Sequence, residues 1–172
     1  IVEFVKATTK EGGTQFVAPA ERIATFDQDG TLWVEHPVYG QLFYCLSRVP
    51  AAVEEKPELA QVEPFKTVLS GDHAAMAKLT LDDYLKIAMV TLSGMPTDEF
   101  KQEVHAWLAK AKDPRWKRPF TELTYQPMKE VMQYLRDNGY RTYIVTGGGQ
   151  DFVRAYSEEV YGVPPEQVVG SA

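Results

Sequence analysis

A chain of 172 residues with 44% hydrophobic and 24% charged side chains has room for one globular core, or for a small core carrying an insert. A net charge of −6 and a pI near 5.1 argue against a nucleic-acid binder, and the basic cluster Arg115-Trp116-Lys117-Arg118 reads as a solvated linker. No apolar run approaches the ~20 residues of a membrane span, and the single cysteine, Cys45, leaves no internal disulfide and no cysteine-based zinc site. The first residue is Ile1 rather than Met, so the chain reads as processed or cut. Its compartment stays open: cytoplasm, or a bacterial periplasm if a leader was removed.

In chain order, residues 1–9 predict a short amphipathic helix with Val2, Phe4 and Val5 facing inward, followed by a loop at Gly12-Gly13. Ile23-Ala24-Thr25-Phe26 is an apolar, β-prone run that stops at Asp27-Gln28-Asp29-Gly30-Thr31. A buried parallel strand reads this way, and the crevice beyond such strand ends is where open α/β sheets bind ligands. Carboxylates as close as Asp27 and Asp29 repel, and burying both uncompensated is costly. The pair therefore asks for a cation, and Mg²⁺ prefers oxygen ligands. An isolated Asp-x-Asp-Gly also reads as a solvated turn. A calcium loop fails, because the sixth position from Asp27 is Leu32 rather than Gly and the twelfth is Val38 rather than Glu.

From Val34 to about Phe120 the pattern is helical. Val38, Leu42, Cys45, Leu46 and Val49 share a helical period that ends at Pro50, with Cys45 a small core residue. Residues 57–69 predict one or two short helices broken at Pro64, and Gly71-Asp72 starts another through Leu79. Thr80 caps a helix to about Leu92, and Thr97 caps the next, with Phe100, Val104, Trp107, Leu108 and Ala111 on one stripe. A helical stretch of this length is too long for an ordinary crossover, so residues 34–120 read as an inserted all-helical subdomain. His73 and His105 fall on its surface.

The core resumes near Thr124. Pro127 suits a first helical turn, and Met128, Val131, Met132 and Leu135 form a stripe that Asn138-Gly139 ends. Tyr140 to Val145 predicts a strand, Thr146-Gly147-Gly148-Gly149 a tight turn, 152–160 a helix, and 167–170 a last strand. Alternating strands and helices at this spacing imply a right-handed parallel α/β arrangement. If the strands are neighbours, Thr146 and the two aspartates meet at one end of the sheet. The Gly147-Gly148-Gly149 run then lets amides approach an anion ahead of a helix N-terminus. It lacks the spacing of a dinucleotide fingerprint. A hydroxyl, free amides and a metal-bound carboxylate pair suit phosphoryl transfer.

Phe26-Asp27-Gln28-Asp29-Gly30-Thr31-Leu32 resembles the first motif of the haloacid-dehalogenase-like hydrolases, and Tyr143-Ile144-Val145-Thr146-Gly147-Gly148 resembles their second. The resemblance implies a Rossmann-like parallel sheet with helices on both faces, formed by residues 1–33 and 121–172, with a helical cap over the active site at 34–120. It implies Asp27 as nucleophile of an aspartyl-phosphate and Asp29 as the acid and base. It further implies Mg²⁺ held by the Asp27 side chain and the Asp29 carbonyl, and phosphate bound at Gly30, Thr146, Gly147 and Gly148. An acid at position 29 goes with phosphatases and phosphomutases of small phosphorylated metabolites rather than with dehalogenases. The long cap and the Thr-Gly-Gly sequence look like the phosphoserine-phosphatase-like branch. Where that branch's phosphoserine enzymes carry a glutamate, this chain has His36, with Glu35 beside it; both are candidates for substrate contact.

The family's third motif, a lysine, and its fourth, acidic metal ligands, follow the second motif. After Thr146 there is no lysine, and Asp151, Glu158, Glu159 and Glu166 fall in or beside a helix. The 172 residues alone are therefore expected to be inactive, with strand 23–26 left as an exposed edge unless residues beyond 172 or another chain cover it. The rivals to a phosphatase are a non-catalytic phosphate-binding domain and a phosphomutase. Oligomeric state is open.

Overall fold

A computed structural model describes residues 1–172. Three strands, β1 (Ile23–Phe26), β2 (Arg141–Gly149) and β3 (Val168–Ser171), form a parallel sheet in the order β1-β2-β3. Ile23 to Phe26 pair residue for residue with Arg141 to Ile144, and Ile144 and Val145 pair with Val168 and Val169. Parallel pairing requires crossovers, and helices supply both of them. β1 has β2 as its one neighbour, so the strand is half-clothed rather than buried throughout: Phe26 is 8% exposed, Ile23 51%.

Helix α1 (Val2–Thr9) forms as expected but turns a different face inward. Val5 and Thr8 are buried, whereas Val2 and Phe4 face solvent. The Thr8 hydroxyl meets the Tyr140 hydroxyl, tying the helix to the start of β2. Helix α2 (Gly40–Glu55) runs through Pro50 instead of ending there. A proline removes one helical hydrogen bond. Here Pro50 is on the exposed face, while Tyr44, Cys45 and Val49 stay buried.

Helices α3 (Phe65–Ser70) and α4 (His73–Met76) are short, the first starting after Pro64 and the second capped by the Asp72 carboxylate. Helix α5 (Leu81–Thr91) opens with a complete capping box between Thr80 and Asp83. Helix α6 (Thr97–Leu108) starts one residue earlier than a Thr97 cap requires: Pro96 takes the cap position and Thr97 is already helical. Phe100, Val104 and Leu108 are buried as its stripe predicts.

Helix α7 (Gln126–Asp137) places Pro127 in its first turn, where a missing N–H costs nothing, and packs Met132 and Leu135 against the sheet. The expected helix 152–160 is two, α8 (Gln150–Arg154) and α9 (Ser157–Tyr161), separated by Tyr156 at φ −130°. The break lets Phe152, Val153, Tyr156 and Tyr161 all reach the interior.

The tight turn expected at 146–149 is absent. β2 stays extended through Gly149, which pairs with Ser171 beyond an irregularity after Val145. Side chains hold this run open: Thr146 Oγ1 accepts from the Gly148 N–H at 3.0 Å, Gln41 Oε1 from the Gly149 N–H at 2.8 Å, and Ser171 Oγ donates to the Gly147 carbonyl at 2.9 Å.

The segment between β1 and α7 shares one core with the sheet. A continuous cluster of 24 buried hydrophobic residues includes Tyr44, Ile87, Phe100 and Val104 from that segment as well as Ile144, Phe152 and Val168. Its seam is aromatic. Tyr44 packs on Phe100, Trp107 and Phe152 at 5.8, 5.5 and 5.6 Å between ring centres. Trp107 stacks on Phe120 at 5.0 Å. No helix is long and apolar enough to cross a membrane.

Candidate active site

The β1 backbone sets side-chain direction through the motif that follows it. Side chains alternate along extended chain, so Asp27 and Asp29 point one way and Gln28 the other. Asp27 is exposed just past the end of β1, and its Oδ1 accepts from the Gln28 N–H at 2.8 Å. Gln28 is 1% exposed, and its side-chain amide donates to the hydroxyls of Tyr156 at 3.2 Å and Tyr161 at 3.0 Å. The loop then closes on itself. The Gln28 carbonyl accepts from the amides of Leu32 and Trp33 at 2.9 and 3.3 Å, and the Gly30 N–H donates to the Trp33 carbonyl at 2.9 Å.

Asp29 is half-buried, and its Oδ1 accepts from the Trp33 indole N–H at 2.9 Å. Burial pushes its carboxyl above the ordinary aspartate value and the charges of Asp27 and Glu35 push it further, while the Trp33 bond pulls it down. Gly30 has φ +73°, which favours glycine, and the Glu35 carboxyl lies against it, 2.7 Å from where a Cβ would stand. Glu35 thus folds back against the motif loop. His36 is largely in solvent, with Nε2 3.4 Å from Glu35 Oε1.

The second motif meets the first at Gly148. A Cβ placed on Gly148 would stand 3.4 Å from Thr146 Oγ1 and 3.9 Å from Asp29 Oδ2. The parallel pairing of Phe26 with Ile144 brings Asp27 and Thr146 out of the same end of the sheet. Asp27, Asp29, Gly30, Thr146, Gly147, Gly148 and Glu35 are thereby gathered at one place, with His36 at its margin. The Gly148 amide, expected to be free for an anion, is instead engaged by Thr146. His73 and His105 are exposed, and residues 115–118 are solvated. A cleft lined by Arg48, Ala52, Glu55, Val90, Thr91 and Glu99 contains none of the motif residues.

Asp27 and Asp29 form no ion pair with a basic side chain, and no backbone amide donates to the Asp29 carbonyl. No three His, Cys, Asp or Glu residues cluster tightly enough to hold a metal by themselves. One carboxylate and one free carbonyl fit Mg²⁺, which keeps several waters and shares its coordination with substrate phosphate.

Three residues of this site were not singled out by the sequence: Gln28, Trp33 and Gln41. Period-two alternation from Phe26 onward was enough to turn Gln28 inward. The Trp33 bond depends on how the motif loop closes and the Gln41 bond on how α2 folds back, which no periodic pattern encodes.

A Rossmann-like parallel α/β sheet, with paired acids after its first strand and a hydroxyl-glycine run at the end of the adjacent strand, defines an enzyme of the strand-end crevice type. The haloacid dehalogenase-like hydrolase family matches residues 24–172, and the chain belongs to it. No curated protein matches the chain.

Proposed function

We propose that this hydrolase is a Mg²⁺-dependent phosphatase of small phosphate monoesters, of the phosphoserine-phosphatase-like branch, acting through an aspartyl-phosphate. The observation that carries the reading is the convergence of Asp29 Oδ2 and Thr146 Oγ1 on Gly148, beside the exposed Asp27. An Asp27 carboxylate oxygen attacks phosphorus, and the bond to the leaving oxygen breaks as Asp29 delivers its proton there. Asp29 then takes a proton from the water that cleaves the acyl phosphate. The raised proton affinity of Asp29 suits the acid role, and the Thr146 hydroxyl binds a phosphoryl oxygen. Mg²⁺, held by the Asp27 side chain and the Asp29 carbonyl, would neutralise phosphoryl charge.

In this reading residues 34–120 are the cap and residues 1–33 and 121–172 the core. Gln41, in the first turn of α2, ties the two together by accepting from the Gly149 amide. Glu35 and His36, between motif loop and α2, are the candidates in this reading to meet the substrate's leaving group. The test is hydrolysis of p-nitrophenyl phosphate by the natural protein. Activity is expected with Mg²⁺, lost with a chelator, and abolished in Asp27→Asn, whose amide is neither nucleophile nor good metal ligand. Full turnover in Asp27→Asn overturns the mechanism.

A further inference from the structure

We propose that Trp33 is a positioning residue that aims Asp29, leaving Oδ2 as the one oxygen that hands a proton to the departing group. The inference rests on the phosphatase reading above. The indole N–H donates to Asp29 Oδ1 at 2.9 Å, so that oxygen is held as an acceptor, and Oδ2 faces Gly148 and Thr146. The indole itself has no freedom to turn. Trp33 is 1% exposed, and its ring stacks on Tyr156 at 5.0 Å and 10° between planes. It also leans on Phe120 at 6.4 Å. Gly40 closes the far edge, where a Cβ would meet the ring at 2.4 Å. Tyr156 is anchored in turn by the Gln28 amide and by Phe152. The middle residue of the Asp-Gln-Asp motif therefore fixes, through Tyr156 and Trp33, the carboxylate of the motif's last residue.

A hydrogen-bonded donor of this kind acts on orientation, and the consequence depends on the leaving group. An alkyl phosphate departs as an alkoxide and needs the proton from Asp29 Oδ2 as the P–O bond breaks and the Asp27–phosphorus bond forms. p-Nitrophenolate leaves without it. Loss of aim should therefore discriminate between substrates, whereas loss of packing alone should not.

The experiment compares kcat/KM of the natural protein for ethyl phosphate and p-nitrophenyl phosphate in Trp33→Phe and in a variant carrying benzothienylalanine at position 33. The latter replaces the indole N–H by sulfur and keeps the bicyclic shape, so it decides the matter should Trp33→Phe fail to fold. The alkyl-to-aryl ratio is expected to fall about 100-fold, the scale of a misplaced catalytic group. Equal losses on both substrates overturn the proposal. A wild-type protein that hydrolyses neither refutes the phosphatase reading instead, and a second measurement then decides the Trp33 contact. In metal-free protein, one of the three indole ¹H–¹⁵N resonances should shift upfield in Asp29→Ala. Three unmoved resonances overturn the contact.

Discussion

Gly40→Ala places a methyl group against a ring that cannot retreat. The new Cβ would lie 2.4 Å from one Trp33 ring carbon and 3.1 and 3.2 Å from two other ring atoms, against about 3.5–4.0 Å for an optimal carbon contact. Trp33 is stacked on Tyr156 on one side and tilted against Phe120 on another, so either the indole or the first turn of α2 must shift. Overpacking a tight interior costs about 1–3 kcal/mol. Alanine's better helix propensity returns at most about 1 kcal/mol, and less at a first helical position such as Gly40. The net is a loss of about 1–2 kcal/mol, and at this chain length each kcal/mol moves Tm by roughly 2–4 °C. Thermal unfolding followed by circular dichroism should show Tm lower by about 2–8 °C. An unchanged or higher Tm would show that the Gly40–Trp33 contact is not the constraint described.

Gln28→Leu should destabilise by about 1–3 kcal/mol, because the hydroxyls of Tyr156 and Tyr161 lose their buried partner; urea unfolding with an unchanged slope checks this, and an unchanged midpoint refutes it. Asp29 in metal-free protein should titrate above its ordinary value of 3.8, and Glu35→Gln should lower it by removing a like charge, as read by carboxyl ¹³C shifts. The sign for stability follows: a folded value above the unfolded one favours the protonated native state, so this contribution is present below 3.8 and is lost as pH rises through the raised value. In Asp29→Asn that part of the pH dependence should vanish.

Much of the fold was legible because it rests on local chemistry. The Thr80 cap, the stripe Phe100-Val104-Leu108 and the stop at Asn138-Gly139 are read from residues a turn apart. The failures share a cause, which is that a distant partner decided the outcome. Pro50 reads as a terminator, yet burial of Tyr44, Cys45 and Val49 holds α2 in place and the helix runs on. The glycines after Thr146 read as a turn, yet Gln41 and Ser171, both remote in sequence, keep them extended. Similarly, the site was legible at its acidic and hydroxyl groups, since their chemistry is local. The groups that orient them, Trp33 and Gln28, became visible only with the loop closed and Tyr156 beneath it.

The aromatic seam makes the chain its own optical gauge. Two of its three indoles lie within the shared core, Trp107 at 6.3 Å from Phe152 and Trp33 against Tyr156. The third, Trp116, is 51% exposed and emits from water. Any excursion that lifts α2 and α6 off α8 parts Trp107 from Phe152 and takes Gly40 off the edge of Trp33, opening both rings to a dissolved quencher. Trp33, 1% exposed with Gly40 of α2 against its ring edge, is enclosed until α2 lifts. Light alone can thus report a lifting of these helices from the sheet side of the core, with no label added.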